Sequence, residues 1–290
     1  MSTLLRKSIS VFVGIIVLWF VMLAIATWTL PKTDLPSEEQ KPNITKEMTE
    51  MPIYFPASIA RDDNGEFPSI EFFNNIARKD DYIVFLESSL LSNQSEHIEA
   101  MKLVRKGKTA QEFSSWRTAN AHLSHVSEYI DAVYYNLDQW GKSNNEWQDI
   151  SLASQTMAAV SKEYNLEYIG QLGYNLAVDY TQDSDSVQNM SRHADRFAFA
   201  SYSCPDEEIL PKCSQTYKLV AEKARLPDSE KPLIMGISLR EGSFEDWYSL
   251  MGNLADTYDS AGIVFSADDP GSLETLESFI EPLREKRWLF

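Results

Sequence analysis

Residues Ile130 to Trp140 read I-D-A-V-Y-Y-N-L-D-Q-W. Laid out as a strand, Asp131, Val133, Tyr135 and Leu137 point to one face and Ala132, Tyr134, Asn136 and Asp138 to the other. Both faces are rich in apolar and aromatic groups. A strand with one wet face alternates, whereas one covered on both faces does not, so the stretch fits a parallel sheet with helices on either side. The second face turns polar toward its C-terminal end, finishing in Asn136 and Asp138. In a closed parallel barrel that end is the rim where sites are built.

Similar apolar runs recur on both sides. Strands are expected at Ile53–Phe55, Asp81–Glu87, Leu166–Leu172, Asp195–Tyr202, Pro232–Leu239 and Gly262–Ser266. Between them, apolar residues at three- and four-residue spacing predict helices over 69–77, 97–104, 110–129, 152–164, 186–193, 214–224, 243–258 and 272–284. Seven strands alternating with helices fit an α/β fold, either a (β/α)8-like barrel with one degenerate unit or an open doubly wound sheet. Neither G-x-G-x-x-G nor G-x-x-x-x-G-K-[ST] occurs, which removes the usual nucleotide-binding signatures of the open sheet. The barrel is the first reading, over residues 52–290. No internal repeat stands out.

Val11 to Leu30 is an uncharged run of 20 residues, long enough for a transmembrane helix. Arg6 and Lys7 precede it, which places the N-terminus (1–10) in the cytoplasm and the main domain on the extracytoplasmic side. The rival is a signal peptide cleaved near Ala24-Ile25-Ala26. Residues 31–51, rich in Pro, Glu, Lys and Thr, read as a stalk. Cys204 and Cys213 are the only cysteines and suit a local disulfide in an oxidising compartment. C-x8-C without a nearby His supplies too few ligands for a metal. Asn43, Asn93 and Asn189 begin N-x-S/T sequons, which would be glycosylated if they lie on exposed loops. The net charge of −17 argues against nucleic acid as a partner.

On a barrel, the strand C-termini collect Glu87, then Asn136, Asp138 and Trp140, then Gln171 and Tyr174, then Tyr202, Arg240 and Glu241, and lastly Asp268. Aromatic faces among carboxylates and amides suit sugar recognition. Glycoside hydrolysis needs two facing carboxyls, for which Glu87, Asp138 and Glu241 are the candidates. The others would bind substrate. No cofactor motif is present. Helix capping by Glu241 and Asp268, and barrel packing by Tyr134, Tyr135 and Tyr202, are the plainer accounts of those residues.

The central strand resembles the fourth strand of family 18 chitinase-like barrels, whose signature is D-G-x-D-x-D-x-E. In that register this chain has Asp131, Ala132, Tyr134, Asn136 and Asp138. The final carboxylate is kept as Asp138, while the Gly and the two inner Asp positions are replaced. The resemblance spans about nine residues. It implies a glycoside-hydrolase-like barrel acting on or binding glycans of the cell envelope or the extracellular space. The alternatives are an inactive barrel that binds glycan or protein, and an exported solute-binding or structural module.

Overall fold

The computed structural model describes residues 52–57, 59–137, 146–173, 177, 185–200, 210–225, 231–237, 244–254, 256–263, 278 and 280. All belong to the second of the chain's two compact units, Ile44–Phe290. Eight parallel strands close into a barrel in chain order: β1 (Ile53–Ala57), β2 (Tyr82–Phe85), β3 (Lys108–Phe113), β4 (Ala132–Leu137), β5 (Glu167–Gly173), β6 (Arg196–Ala200), β7 (Leu233–Ile237) and β8 (Ser260–Ile263). Tyr54 of β1 pairs with Gly262 of β8, which closes the ring. The helices described between the strands are α1 (Pro68–Ile76), α2 (Glu87–Ser92), α3 (Gln94–Lys102), α4 (Trp116–Val126), α5 (Ile150–Glu163), α6 (Ser186–His193), α7 (Leu210–Ala224) and α8 (Phe244–Leu254).

The two-step alternation of each strand builds two cores. Phe55, Phe85, Phe113, Val133, Tyr135, Leu137 and Phe199 face outward and pack with Phe73, Leu123, Met157 and Tyr217 of the helices. Tyr54, Tyr82, Val84, Ala110, Ala132, Tyr134, Ile169, Ala198 and Ile234 fill the barrel interior. Each large side chain buried in this way contributes about 1.5–3 kcal/mol. Tyr54 and Tyr82 stack across the inside, with centroids 4.7 Å apart and planes 2° from parallel. On β7, Gly236 lets the backbone approach β6 closely: a Cβ there would lie 2.9 Å from both Ala200 Cα and Phe199 O.

The eighth strand lies where the sequence predicts helix. Residues 110–129 read as one helix, yet β3 occupies Lys108–Phe113 and α4 begins only at Trp116. Ala, Gln and Glu favour helix locally, but pairing with strands on both sides outweighs that preference. Two residues set the boundaries. Gly107 has φ +68° at the turn before β3, where a Cβ would meet Asp81 O and Phe73 Cζ at 2.7 Å. Ser115 caps α4, its Oγ accepting from the Arg117 N–H at 3.1 Å.

The strands also carry a fourfold repeat that the sequence reading missed. Each even-numbered strand is preceded by an aspartate that accepts the N–H of a residue near the start of the odd strand before it. Asp81 takes Ile53 N at 2.8 Å and Asp131 takes Thr109 N at 2.8 Å. Asp195 takes Tyr168 N at 2.8 Å and Asp259 takes Leu233 N at 2.9 Å. These carboxylates satisfy amides at the N-terminal end of the barrel, and each bond is charge-assisted.

Several expectations need correction. Among the described residues no helix is long and apolar enough to cross a membrane, and the run at 11–30 lies outside them. The transmembrane anchor is therefore not retained. Membrane attachment, the cytoplasmic N-terminus and the extracytoplasmic placement of the domain rested on that helix and go with it. Asn189 sits half-buried within α6 rather than on an exposed loop, because its helix packs beside β5 and α5. Asn93 is exposed, but its side chain is engaged as the cap of α3, accepting from Glu96 N at 3.3 Å. Asn43 is outside the described residues. Cys213 is buried in α7 and disulfide-bonded; Cys204 lies outside the described residues.

Candidate functional site

The C-terminal mouth of the barrel gathers polar side chains from three adjacent strand ends. Inward alternation places Glu112 at the end of β3, Tyr134 and Asn136 on β4, and Gln171 on β5. They form one hydrogen-bonded chain. The Tyr134 hydroxyl donates to Gln171 Oε1 at 2.6 Å, Gln171 Nε2 donates to Asn136 Oδ1 at 2.7 Å, and Asn136 Nδ2 donates to Glu112 Oε1 at 2.8 Å. The register explains the contacts, since Asn136 lies directly beside Gln171 and Glu112 beside Tyr134.

Glu112 is the half-buried terminus of this chain. Burial raises its carboxyl above the ordinary glutamate range, and the neighbouring Glu87 carboxylate pushes the same way. The bonds from Asn136 and from the Glu87 backbone N–H oppose the shift without cancelling it. Glu87 is the first residue of α2, directly after β2, and is 9% exposed. Its Oε2 accepts the Ser114 hydroxyl at 2.5 Å and the Ser114 N–H at 3.3 Å.

A second buried carboxylate at the rim has a structural role. Glu146 precedes α5, and its Oε1 accepts Ser115 Oγ at 2.7 Å and Arg117 Nη1 at 3.1 Å. Its Oε2 accepts Tyr135 OH at 2.7 Å and Trp116 N at 3.1 Å. It thereby ties the start of α4 to β4. The opposite end of the barrel is filled by Arg196 paired with Glu167 at 2.5 Å, with Tyr82 donating to Glu167 and Lys108 Nζ 3.2 Å from the Tyr82 hydroxyl. Among the described residues no cluster of three or more His, Cys, Asp or Glu is placed to hold a metal.

Of the site residues expected from sequence, the structure brings together Asn136 and Gln171, with Glu87 beside them through Glu112. Asp138, Trp140, Tyr174, Tyr202, Arg240, Glu241 and Asp268 lie outside the described residues. Trp247 of α8 is 1% exposed and belongs to the outer core. Glu112, Ser114 and Glu146 were not anticipated. The first two were hidden by reading β3 as helix; the clue was the alternation Lys108, Ala110, Glu112 after Gly107. Nothing local marks Glu146, whose partners come from 11 to 31 residues away.

These strands and this mouth define a (β/α)8 barrel of the triosephosphate isomerase type. No protein-family model matches the chain, and no curated protein matches it. Solved structures do. Triosephosphate isomerase from Bartonella henselae matches with a TM-score of 0.53 and 11% identity, over 81% of this chain and 100% of that one. Orotidine 5'-monophosphate decarboxylase from Methanocaldococcus jannaschii matches with a TM-score of 0.52 and 17% identity, over 81% and 100%. Type I 3-dehydroquinate dehydratase from Clostridium difficile matches with a TM-score of 0.50 and 13% identity, over 81% and 93%. At such identities the likeness concerns the fold.

The glycan reading is corrected by the same findings. The named neighbours are an isomerase, a decarboxylase and a dehydratase, not glycoside hydrolases. Among the described residues, the carboxyl set beside Glu87 is Glu112 on the adjacent strand end, close enough for Glu87 to hold it through its backbone N–H. Glycosidase carboxyls instead face each other across a substrate-width gap. The glycoside-hydrolase-like activity and the glycan or envelope partner are not carried further.

Proposed function

We propose that the mouth of this barrel is the site of an acid–base enzyme, in which Glu112 transfers a proton to or from a small polar substrate. The observation that carries this reading is the chain Tyr134–Gln171–Asn136–Glu112. With Glu112 ionised, the chain runs toward it, each amide accepting on its oxygen and donating from its nitrogen. If both amides turn over, a protonated Glu112 donates to Asn136 and the chain ends on the Tyr134 hydroxyl. The network thus accommodates either protonation state without leaving a buried amide unpaired. A carboxyl held above its usual range by burial titrates nearer neutral pH, which general acid–base catalysis needs. The position at the strand C-termini agrees with where barrels place their chemistry.

The test is substrate hydrogen exchange in D2O. Wild-type protein is incubated with a panel of small carbonyl and hydroxycarbonyl compounds, and loss of the C–H signal is followed by proton NMR. An exchange rate that falls roughly 100- to 10,000-fold in Glu112→Gln, the range general acid–base groups contribute, is the expected result. Carbon-13 titration of glutamate-labelled protein is run in parallel. Absence of exchange across the panel, together with a Glu112 carboxyl titrating in the ordinary range, would refute the proposal and leave the network as barrel packing.

A further inference from the structure

Among the described carboxylates, Glu87 is the one at the mouth with a buried oxygen left unpaired. One oxygen, Oε2, takes both donors of Ser114. The other, Oε1, is buried with no hydrogen-bond partner. Ion pairs to the described carboxylates go elsewhere: Arg61 to Glu96 and Glu99, Arg117 to Glu146, and Arg196 to Glu167. The charged neighbour of Glu87 among the described residues is Glu112, another acid. Glu146 shows that this rim can saturate a buried carboxylate, since its two oxygens take four donors. At Glu87 the fold stops halfway.

A buried acceptor left open is costly, and more so when it carries charge. Such a gap calls for an explanation, and for a carboxylate beside a mouth a bound donor is one. The Glu87 backbone N–H bonds the Glu112 carboxyl, which sets Glu87 beside the mouth. Among the described residues no arginine or lysine pairs with either of these two acids, so together they select against anionic groups and favour a cation.

We infer that the ligand of this mouth carries a primary ammonium group, which donates to Glu87 Oε1 and supplies the missing positive charge. This rests on the reading of the mouth as a ligand site and names the recognition end of that ligand. Glu87 binds and orients; Glu112, held on its other side by Asn136, remains free for the proton. The substrate class becomes a small amine with a polar carbon skeleton.

Two probes of equal size separate charge from simple hydrogen bonding: ethanolamine, cationic at neutral pH, and ethylene glycol, its neutral counterpart. Both are titrated into full-length wild-type protein at matched ionic strength, and the glutamate side-chain carboxyl carbons are followed by NMR. Expected is a saturable shift of the Glu87 resonance with ethanolamine, with a dissociation constant of roughly millimolar order for so few atoms. Ethylene glycol should bind at least about tenfold more weakly, the factor that about 1.4 kcal/mol represents. Glu87→Gln should lose the preference. Equal binding of the two probes to wild type, or no shift at Glu87 with either, overturns the inference; the wild-type comparison stands even if Glu87→Gln fails to fold. Failure of exchange in D2O with ethanolamine binding intact would remove the acid–base reading alone.

Discussion

Replacing Glu146 by Ala should cost this barrel a large share of its stability. The residue is 6% exposed, and its two oxygens take four hydrogen bonds. Two of the donors cannot find water when the carboxylate is gone, because Tyr135 is 0% and Ser115 2% exposed. Each orphaned donor costs about 1–3 kcal/mol. The Trp116 N–H, part-buried, adds a smaller amount. Arg117, whose side chain is 55% exposed, adds little, since its pair is screened by solvent. The sum is about 2–6 kcal/mol, set against the roughly 5–15 kcal/mol that a domain commonly has. Urea unfolding followed by far-ultraviolet circular dichroism gives the value directly. A double-mutant cycle then isolates the main contact. Tyr135→Phe removes the donor itself, so in the Glu146→Ala background it should cost less than in wild type, with a coupling of about 1–2 kcal/mol. A loss below about 0.5 kcal/mol for Glu146→Ala, the size of an ordinary surface substitution, would refute the reasoning. So would strict additivity of the two changes.

Two further outcomes can be checked on the same preparations. The Glu112 carboxyl is raised by burial, so the folded protein holds a proton that the unfolded chain has released; stability should therefore fall as pH rises from the ordinary glutamate value through the raised one, and Glu112→Gln should flatten that slope. A wild-type slope unchanged by Glu112→Gln would count against the burial argument. Asp131→Ala should leave the Thr109 N–H without its acceptor and cost about 1.5–3 kcal/mol, the worth of a hydrogen bond to a charged group; hydrogen exchange should quicken first at Thr109, and equal protection there in mutant and wild type would show the clip to be dispensable.

The barrel was legible wherever a strand announced itself by local pattern. Ile130–Trp140 carried apolar groups on both faces, and β4 indeed turns Val133, Tyr135 and Leu137 to the helices and Ala132, Tyr134 and Asn136 to the interior. β3 was not legible, because Lys108–Phe113 has helix-favouring composition and becomes a strand only between β2 and β4. The aspartates before the even strands were in plain view, yet no periodicity marks them as equivalent until the strands they clip are side by side. At the mouth, Asn136 and Gln171 were found by position along their strands, whereas Glu112 was lost with β3.

What the sequence by itself determined is the alternation of strand and helix, the two-faced burial of the strands and the polarity of their C-terminal ends. These follow from periods of two and about 3.6 residues, which are local properties of the chain. Only the tertiary structure decided that the sheet closes, that Glu112 stands beside Glu87, and that Glu146 is saturated while Glu87 is not. Each of these depends on which strands become neighbours and in what register, and that is fixed by packing between residues tens of positions apart.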